Sequence, residues 1–223
     1  MTCRLSSGVS LSDSDALKEA LAFDPACLAN YDFAGTSAPD GMDVSDIGRM
    51  VGSRMVGMNA SEAAELIRLG PNAPWHRVPI DARFEDAAPG SSLFDAAMAL
   101  LDHFQSISGV KAAKATKLLS MKRPNLFPVI DDRVVTLYEV AAADHTEVSH
   151  PTTVAIRNDV CDPATAHAMT TLRVALLCQG GTHANRLAQL TGLRLRDVVL
   201  WQHWEFVGDP PAMPPWPQRT PWE

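Results

Sequence analysis

Lys111, Lys114, Lys117 and Lys122 gather four of the chain's five lysines into one short stretch, with Arg123 beside the last. They follow the turn Ile107-Ser108-Gly109-Val110, and Pro128-Val129-Ile130-Asp131-Asp132 comes soon after. A glycine turn feeding a basic helix N-terminus suits a phosphate, because free backbone N–H groups and the helix dipole both favour an anion. Lysines beside such a turn neutralise a phosphate backbone without reading bases. Asp131 or Asp132 adds a carboxylate, which can stabilise positive charge developing on a sugar or orient an attacking water. The plainer readings are a solvated lysine face on one helix and, for either aspartate, an ordinary helix N-cap. Capping and catalysis are physically compatible.

The elements that must position these groups are helical. Ser91 or Ser92 opens the strongest amphipathic segment, with Leu93, Ala96, Ala97, Leu100, Leu101 and Phe104 facing one way. Leu93–Gln105, the turn Ile107–Val110 and Ala112–Met121 together form a helix–hairpin–helix pattern. Pro124 stops the second helix, and Asp131 or Asp132 starts another that carries Val134, Val135, Leu137, Tyr138 and Val140. Earlier, a helix from Ser12 or Ser14 runs through Phe23, and residues 24–42 read as irregular chain. Asp43 precedes a helix whose apolar positions are Val44, Ile47, Val51 and Met55, and Asn59 or Ser61 caps one over Ala63–Leu69. Later, Asp162-Pro163 opens a long helix to about Leu177. Gln179-Gly180-Gly181-Thr182-His183 is a helix–helix turn, and helices over Ala184–Thr191 and about Leu195–Phe206 follow. Alternating strand patterns are almost absent, so the expected fold is mainly α.

Composition sets the bounds. The 223 residues, 46% hydrophobic and 20% charged, suit one helical domain over residues 1–208. From Asp209 on, six of the sixteen prolines crowd the end, interleaved with Trp216 and Trp222, and read as an extended tail able to lie across the domain or meet a protein partner. No apolar run approaches the roughly 18 residues of a membrane span, and no signal-peptide core opens the chain, so the expectation is a cytoplasmic protein without a membrane partner. Cys3, Cys27, Cys161 and Cys178 are scattered and read as buried free thiols. With no Cys or His pair at ligand spacing, no metal and no cofactor is expected. Net charge is −7, and residues 109–123 hold five positive charges and no negative one, which leaves −12 on the rest. That pattern weighs against nonspecific coating of nucleic acid and leaves room for one local grip on a phosphate backbone.

The segment Lys122-Arg123-Pro124-Asn125-Leu126-Phe127-Pro128-Val129-Ile130-Asp131-Asp132-Arg133 resembles the helix–hairpin–helix DNA glycosylase superfamily, whose Gly-hydrophobic-Gly hairpin is followed by a helix and a Pro-Val-Asp or Pro-Asp-Asp loop. The chain from Tyr31 to Phe206 is also similar to an uncharacterised bacterial family described as 8-oxoguanine-glycosylase-like. Gly109 and Val110 match the hairpin's first glycine and its hydrophobic partner, and Lys111 stands where a second glycine is usual. Ala113 stands where bifunctional members carry a lyase lysine, which implies a monofunctional enzyme unless Lys111 or Lys114 substitutes. Asp131 or Asp132 matches the catalytic aspartate, with the register open by one residue. The iron–sulfur cysteines are missing.

The resemblance implies duplex DNA as partner, held through Gly109, Val110, Lys111, Lys114, Lys117, Lys122 and Arg123, with a flipped base in a pocket for which Tyr31, Trp75 and Trp201 are aromatic candidates. Trp201 and Trp204 read first as core residues and second as a base-stacking wall. The alternatives are a non-catalytic module binding nucleic acid or protein on the same scaffold, and an enzyme acting on free nucleotides. On the DNA reading, Lys111→Ala with Lys114→Ala weakens duplex binding in a fluorescence titration while leaving the fold intact, and unchanged affinity would remove the phosphate site.

Overall fold

Short polar side chains set where the helices begin. The Ser12 hydroxyl accepts from Asp15 N at 3.1 Å to start α1 (Asp13–Ala22). Reciprocal capping boxes, Asp43 with Asp46 and Asn59 with Glu62, start α3 (Val44–Gly52) and α4 (Ala60–Leu69). Between α1 and α3, Asp24 and Pro25 initiate the short α2 (Pro25–Cys27), which widens into a π-turn over Leu28–Asp32. Ser91 caps α5 (Ser92–Gln105), whose Leu100, Leu101 and Phe104 are fully buried. Each such side chain contributes about 1.5–3 kcal/mol.

α6 (Ala112–Lys122) follows, then α7 (Asp132–Leu137), α8 (Ser149–Val160), α9 (Pro163–Gln179), α10 (Thr182–Gln189) and α11 (Gly192–Val207). This computed structural model describes residues 2–4, 9–34, 38–53, 55–138 and 149–207. The tail from Asp209 and Val140 of the expected seventh helix lie outside them. Among the described residues the chain is mainly helical, and its strands are one antiparallel pair, β1 (Thr2–Arg4) and β2 (Ser10–Ser12), with Cys3 opposite Leu11. The pair leans on α1 and α9, and α11 and α10 also pack on α1, so the two ends of the described chain meet. Among the described residues no helix is long and apolar enough to cross a membrane.

Three helices depart from the sequence reading. In α3, Val44 and Val51 are exposed while Asp46 and Met50 are completely buried, so two of the four apolar positions read from spacing face outward, and Ile47 and Met55 pack against the core. The reason is an ion pair: Asp46 Oδ2 lies 2.7 Å from Lys122 Nζ, inside the protein. α8 has no counterpart in the sequence reading, because its buried positions are largely polar, Ser149, Thr152 and Thr153 among them. α6 is buried around most of its circumference, Lys117 and Lys122 included, which overturns the solvated lysine face. Breaking one side of a buried pair leaves an uncompensated charge. Lys122→Met therefore loses about 3 kcal/mol in urea unfolding, and adding Asp46→Asn recovers part of it; a loss below about 1 kcal/mol, as for an exposed pair, contradicts the assignment.

Candidate functional site

The turn between α5 and α6 closes through Val110 N donating to Ile107 O at 2.9 Å, with Ile107 and Val110 buried beneath it. Gly109 has φ +81°, a backbone conformation that residues other than glycine rarely adopt, and the Glu62 carboxyl stands where a Cβ would go. Glu62 thus lies against the turn, and its Oε2 accepts from Lys114 Nζ at 2.6 Å. Lys111 is exposed.

The remaining cations of the stretch point inward. Lys117 Nζ donates to Met55 O at 2.9 Å and Lys122 Nζ to Ala38 O at 2.8 Å. Arg123 donates to Val78 O, Pro39 O and Asp40 Oδ1, and its guanidinium stands 5.3 Å from the Trp75 ring centre. Lys117, Lys122 and Arg123 are therefore structural cations, a correction to their expected place on a phosphate-binding surface.

The loop carrying the aspartates is clamped from two helices. Ile130 N donates to Thr116 Oγ1 of α6 at 3.0 Å, and Val129 N donates to Asp197 Oδ2 of α11 at 3.1 Å. Pro128 has no N–H to satisfy. At the end of this loop Asp131 Oδ1 accepts from Val134 N at 3.2 Å, capping α7, while Oδ2 lies 3.8 Å from Lys117 Nζ. Burial holds the Lys117 ammonium below its ordinary pKa, and Asp131 pulls it back up. Asp132 is exposed.

Asp131 opens onto a cavity of about 370 Å³, a size that admits a small ligand. Phe23, Asp24 and Cys27 form its N-terminal wall, and Ser53 and Met55 a second. Arg194, Asp197 and Trp201 of α11 form another, three residues spaced to share one helix face. Trp201 meets Phe23 edge-on, ring centres 6.2 Å apart at 85°. The Arg194 guanidinium is committed to Asp32 through bonds of 2.8 and 3.2 Å and stands over the Tyr31 ring at 5.0 Å. Burial pushes the Cys27 thiol up to about 11, so it stays protonated and is no nucleophile at neutral pH. Burial also raises the Asp197 carboxyl to about 6, with Arg196 as the main opposing influence.

Of the aromatic candidates, Trp201 lines this cavity. Tyr31 is buried, donating to Lys117 O at 2.6 Å, and Trp75 is buried, donating to Gly70 O at 2.8 Å. Cys27, Arg194 and Asp197 were missed. Charges at 194, 196 and 197 beside the apolar run Val198-Val199-Leu200-Trp201 were the available signal for the last two; nothing local marks Cys27. Cys161 and Cys178 are exposed, against the expectation of buried thiols. Among the described residues no three His, Cys, Asp or Glu side chains gather as a metal-ligand group.

A model for a family of unknown function, DUF6308, matches residues 57–204, and the chain belongs to that family. The matched span holds Lys117, Asp131, Asp197 and Trp201, whereas the wall of Phe23, Asp24 and Cys27 lies outside it. No curated protein and no solved structure matches the chain.

A carboxyl whose folded pKa is raised contributes stability that is present below its unfolded pKa and lost as pH rises through the folded one. For Asp197 that window runs from 3.8 to about 6. Asp197→Asn keeps an oxygen for Val129 N–H and removes the titration. Between about pH 4 and about pH 7 it gains on the order of 2 kcal/mol relative to the native protein. Thermal unfolding of both proteins across that range checks this; a pH-independent difference contradicts it.

Proposed function

We propose that this chain is a helix–hairpin–helix protein of DNA glycosylase type, in which a nucleobase enters the cavity beside Phe23 and Trp201 and its N-glycosidic bond is hydrolysed at Asp131. The observation that carries the reading is that Asp131, and not the exposed Asp132, lines the cavity while held by its loop, by α7 and near Lys117. The Asp131 carboxylate stabilises positive charge on the sugar as the bond to the base nitrogen breaks and the electron pair leaves with the base. Water then adds to the sugar carbon, and its proton passes through the carboxylate to solvent or to the departing base. No lysine of the chain stands at the position of the lyase nucleophile, so the proposed activity is monofunctional base excision, a step of DNA repair or modification. Phosphate contact on this reading rests on Lys111 and the exposed part of the turn at Gly109.

A second reading, hydrolysis of free nucleosides or nucleotides, is favoured by Glu62. It covers Gly109 and engages Lys114, which leaves little of the basic stretch for a DNA backbone.

The test is release of free base, followed by chromatography and mass spectrometry, from duplexes carrying damaged or mismatched bases and in parallel from free nucleosides. Release from duplex supports the first reading and release from nucleosides alone the second. In either case Asp131→Asn lowers the rate at least about a hundredfold, the scale of a lost electrostatic stabiliser, while Asp132→Asn stays near the native rate. No release from any substrate, or full activity in Asp131→Asn, overturns the hydrolytic reading.

A further inference from the structure

Besides Asp131 the cavity is lined by two carboxyls that the proposed hydrolysis does not use, the exposed Asp24 and the buried Asp197. Asp197 sits one helical turn before Trp201 on the face of α11 that lines the space. Its orientation is fixed, because Oδ2 accepts from the backbone of Val129. Oδ1 lies 3.7 Å from Arg196 NH1, whose guanidinium also donates to the Tyr138 hydroxyl and lies 3.7 Å from Asp159 Oδ2. Arg194, the cation in the cavity wall, is held by Asp32. The other titratable groups facing the space are Asp131 from the loop, with Lys117 behind it, and Asp24 and Cys27 from the N-terminal wall. Asp197 is thus a cavity carboxyl held in place by a backbone bond.

We infer that Asp197 is the group that recognises the ligand: its carboxyl proton is donated to an unprotonated ring nitrogen of a nucleobase lying against Trp201 and Phe23. This rests on the reading of the cavity as a base pocket and names the class it takes. Adenine and cytosine present such a ring nitrogen as a hydrogen-bond acceptor, whereas the corresponding ring nitrogens of uracil and thymine carry hydrogen and leave carbonyl oxygens as acceptors. An ionised carboxylate accepts only, so the donor exists while Asp197 is protonated. Burial keeps it so up to about pH 6, and recognition weakens as pH rises beyond that.

The experiment is calorimetric titration of the full chain with free adenine and with free uracil at about pH 5 and about pH 7, for the native protein and Asp197→Asn. The asparagine retains an oxygen for Val129 N–H and offers an amide donor that does not titrate, and a thermal melt verifies that the variant is folded. Adenine affinity of the native protein falls roughly tenfold between the two pH values, following the protonated fraction of a group near 6. In Asp197→Asn it is the same at both, and uracil binds at least about tenfold more weakly than adenine, the scale of one polar contact left unpaired. Adenine binding without pH dependence in the native protein, pH dependence that survives in Asp197→Asn, equal affinity for uracil, or no adenine binding at either pH would each overturn the inference. The two readings fail separately: pH-dependent adenine binding without cleavage of any N-glycoside removes the hydrolytic reading alone, and base release by the native protein with the same adenine-over-uracil selectivity at about pH 5 and about pH 7 removes the Asp197 assignment alone.

Discussion

The C-terminal half of α6 carries Lys117, Lys122 and Arg123 into the interior, and a buried cation without partners costs several kcal/mol. The chain from Ala38 to Met55 is arranged to meet that demand. Its carbonyls at Ala38, Pro39 and Met55 accept from the three side chains, and Asp40 and Asp46 supply charge. Asp46 can reach Lys122 only if α3 turns its acidic position inward, which is why Val44 and Val51 are left facing water. Arg123 extends the same set to Val78 O and the Trp75 ring. One cluster of desolvated cations therefore fixes α6, α3 and the segment around Trp75 relative to one another.

The cavity depends on that frame. Once α6 is held, Thr116 offers Ile130 N–H an acceptor and Lys117 stands beside Asp131, while α11 reaches the loop through Asp197 and Val129. The backbone between Pro128 and Asp131 has little freedom left, and the carboxylate is placed before any ligand arrives. Such preorganisation is what an electrostatic role requires, because a group that must reorient spends binding energy on ordering itself. Tyr138 adds a further tie, donating to Asp159 and accepting from Arg196, so α7, α8 and α11 close around the same end of the loop.

The sequence revealed what is local and concealed what is long-range. Periodicity located α5, the glycine turn and α6, and the Pro-Val-Ile-Asp spelling located a capping aspartate, because each is decided within a few residues. Which way the lysines point is not local: Lys117 finds Met55 O 62 positions away and Lys122 finds Ala38 O 84 positions away. With those acceptors invisible, lysine reads as surface. The same blindness put Val44 and Val51 on the inner face of α3, where a buried Asp46 stands beside Met50. The cavity wall at Asp24 and Cys27 lay in a stretch read as irregular, where a short helix and a π-turn carry no periodic signature long enough to see. On α11, by contrast, Arg194, Asp197 and Trp201 share one face by simple helical spacing, and that signal was available.

Two capacities travel together in the resemblance to glycosylases, a turn that grips phosphate and a pocket that holds a base, and this chain does not support them equally. Glu62 presses its carboxyl against Gly109 and engages Lys114, and the body around the basic stretch is acidic, so attraction of a duplex backbone rests on Lys111 and little else. Drawing a base out of a stacked duplex costs a few kcal/mol, and backbone contacts ordinarily offset that cost. On the proposed reading, with so few of them, a pocket built around Asp131, Asp197 and Trp201 works best on a base that is already free of its stack. On the proposed reading, mismatched or single-stranded positions and free nucleosides are thus the substrates this architecture favours over an intact, well-paired duplex.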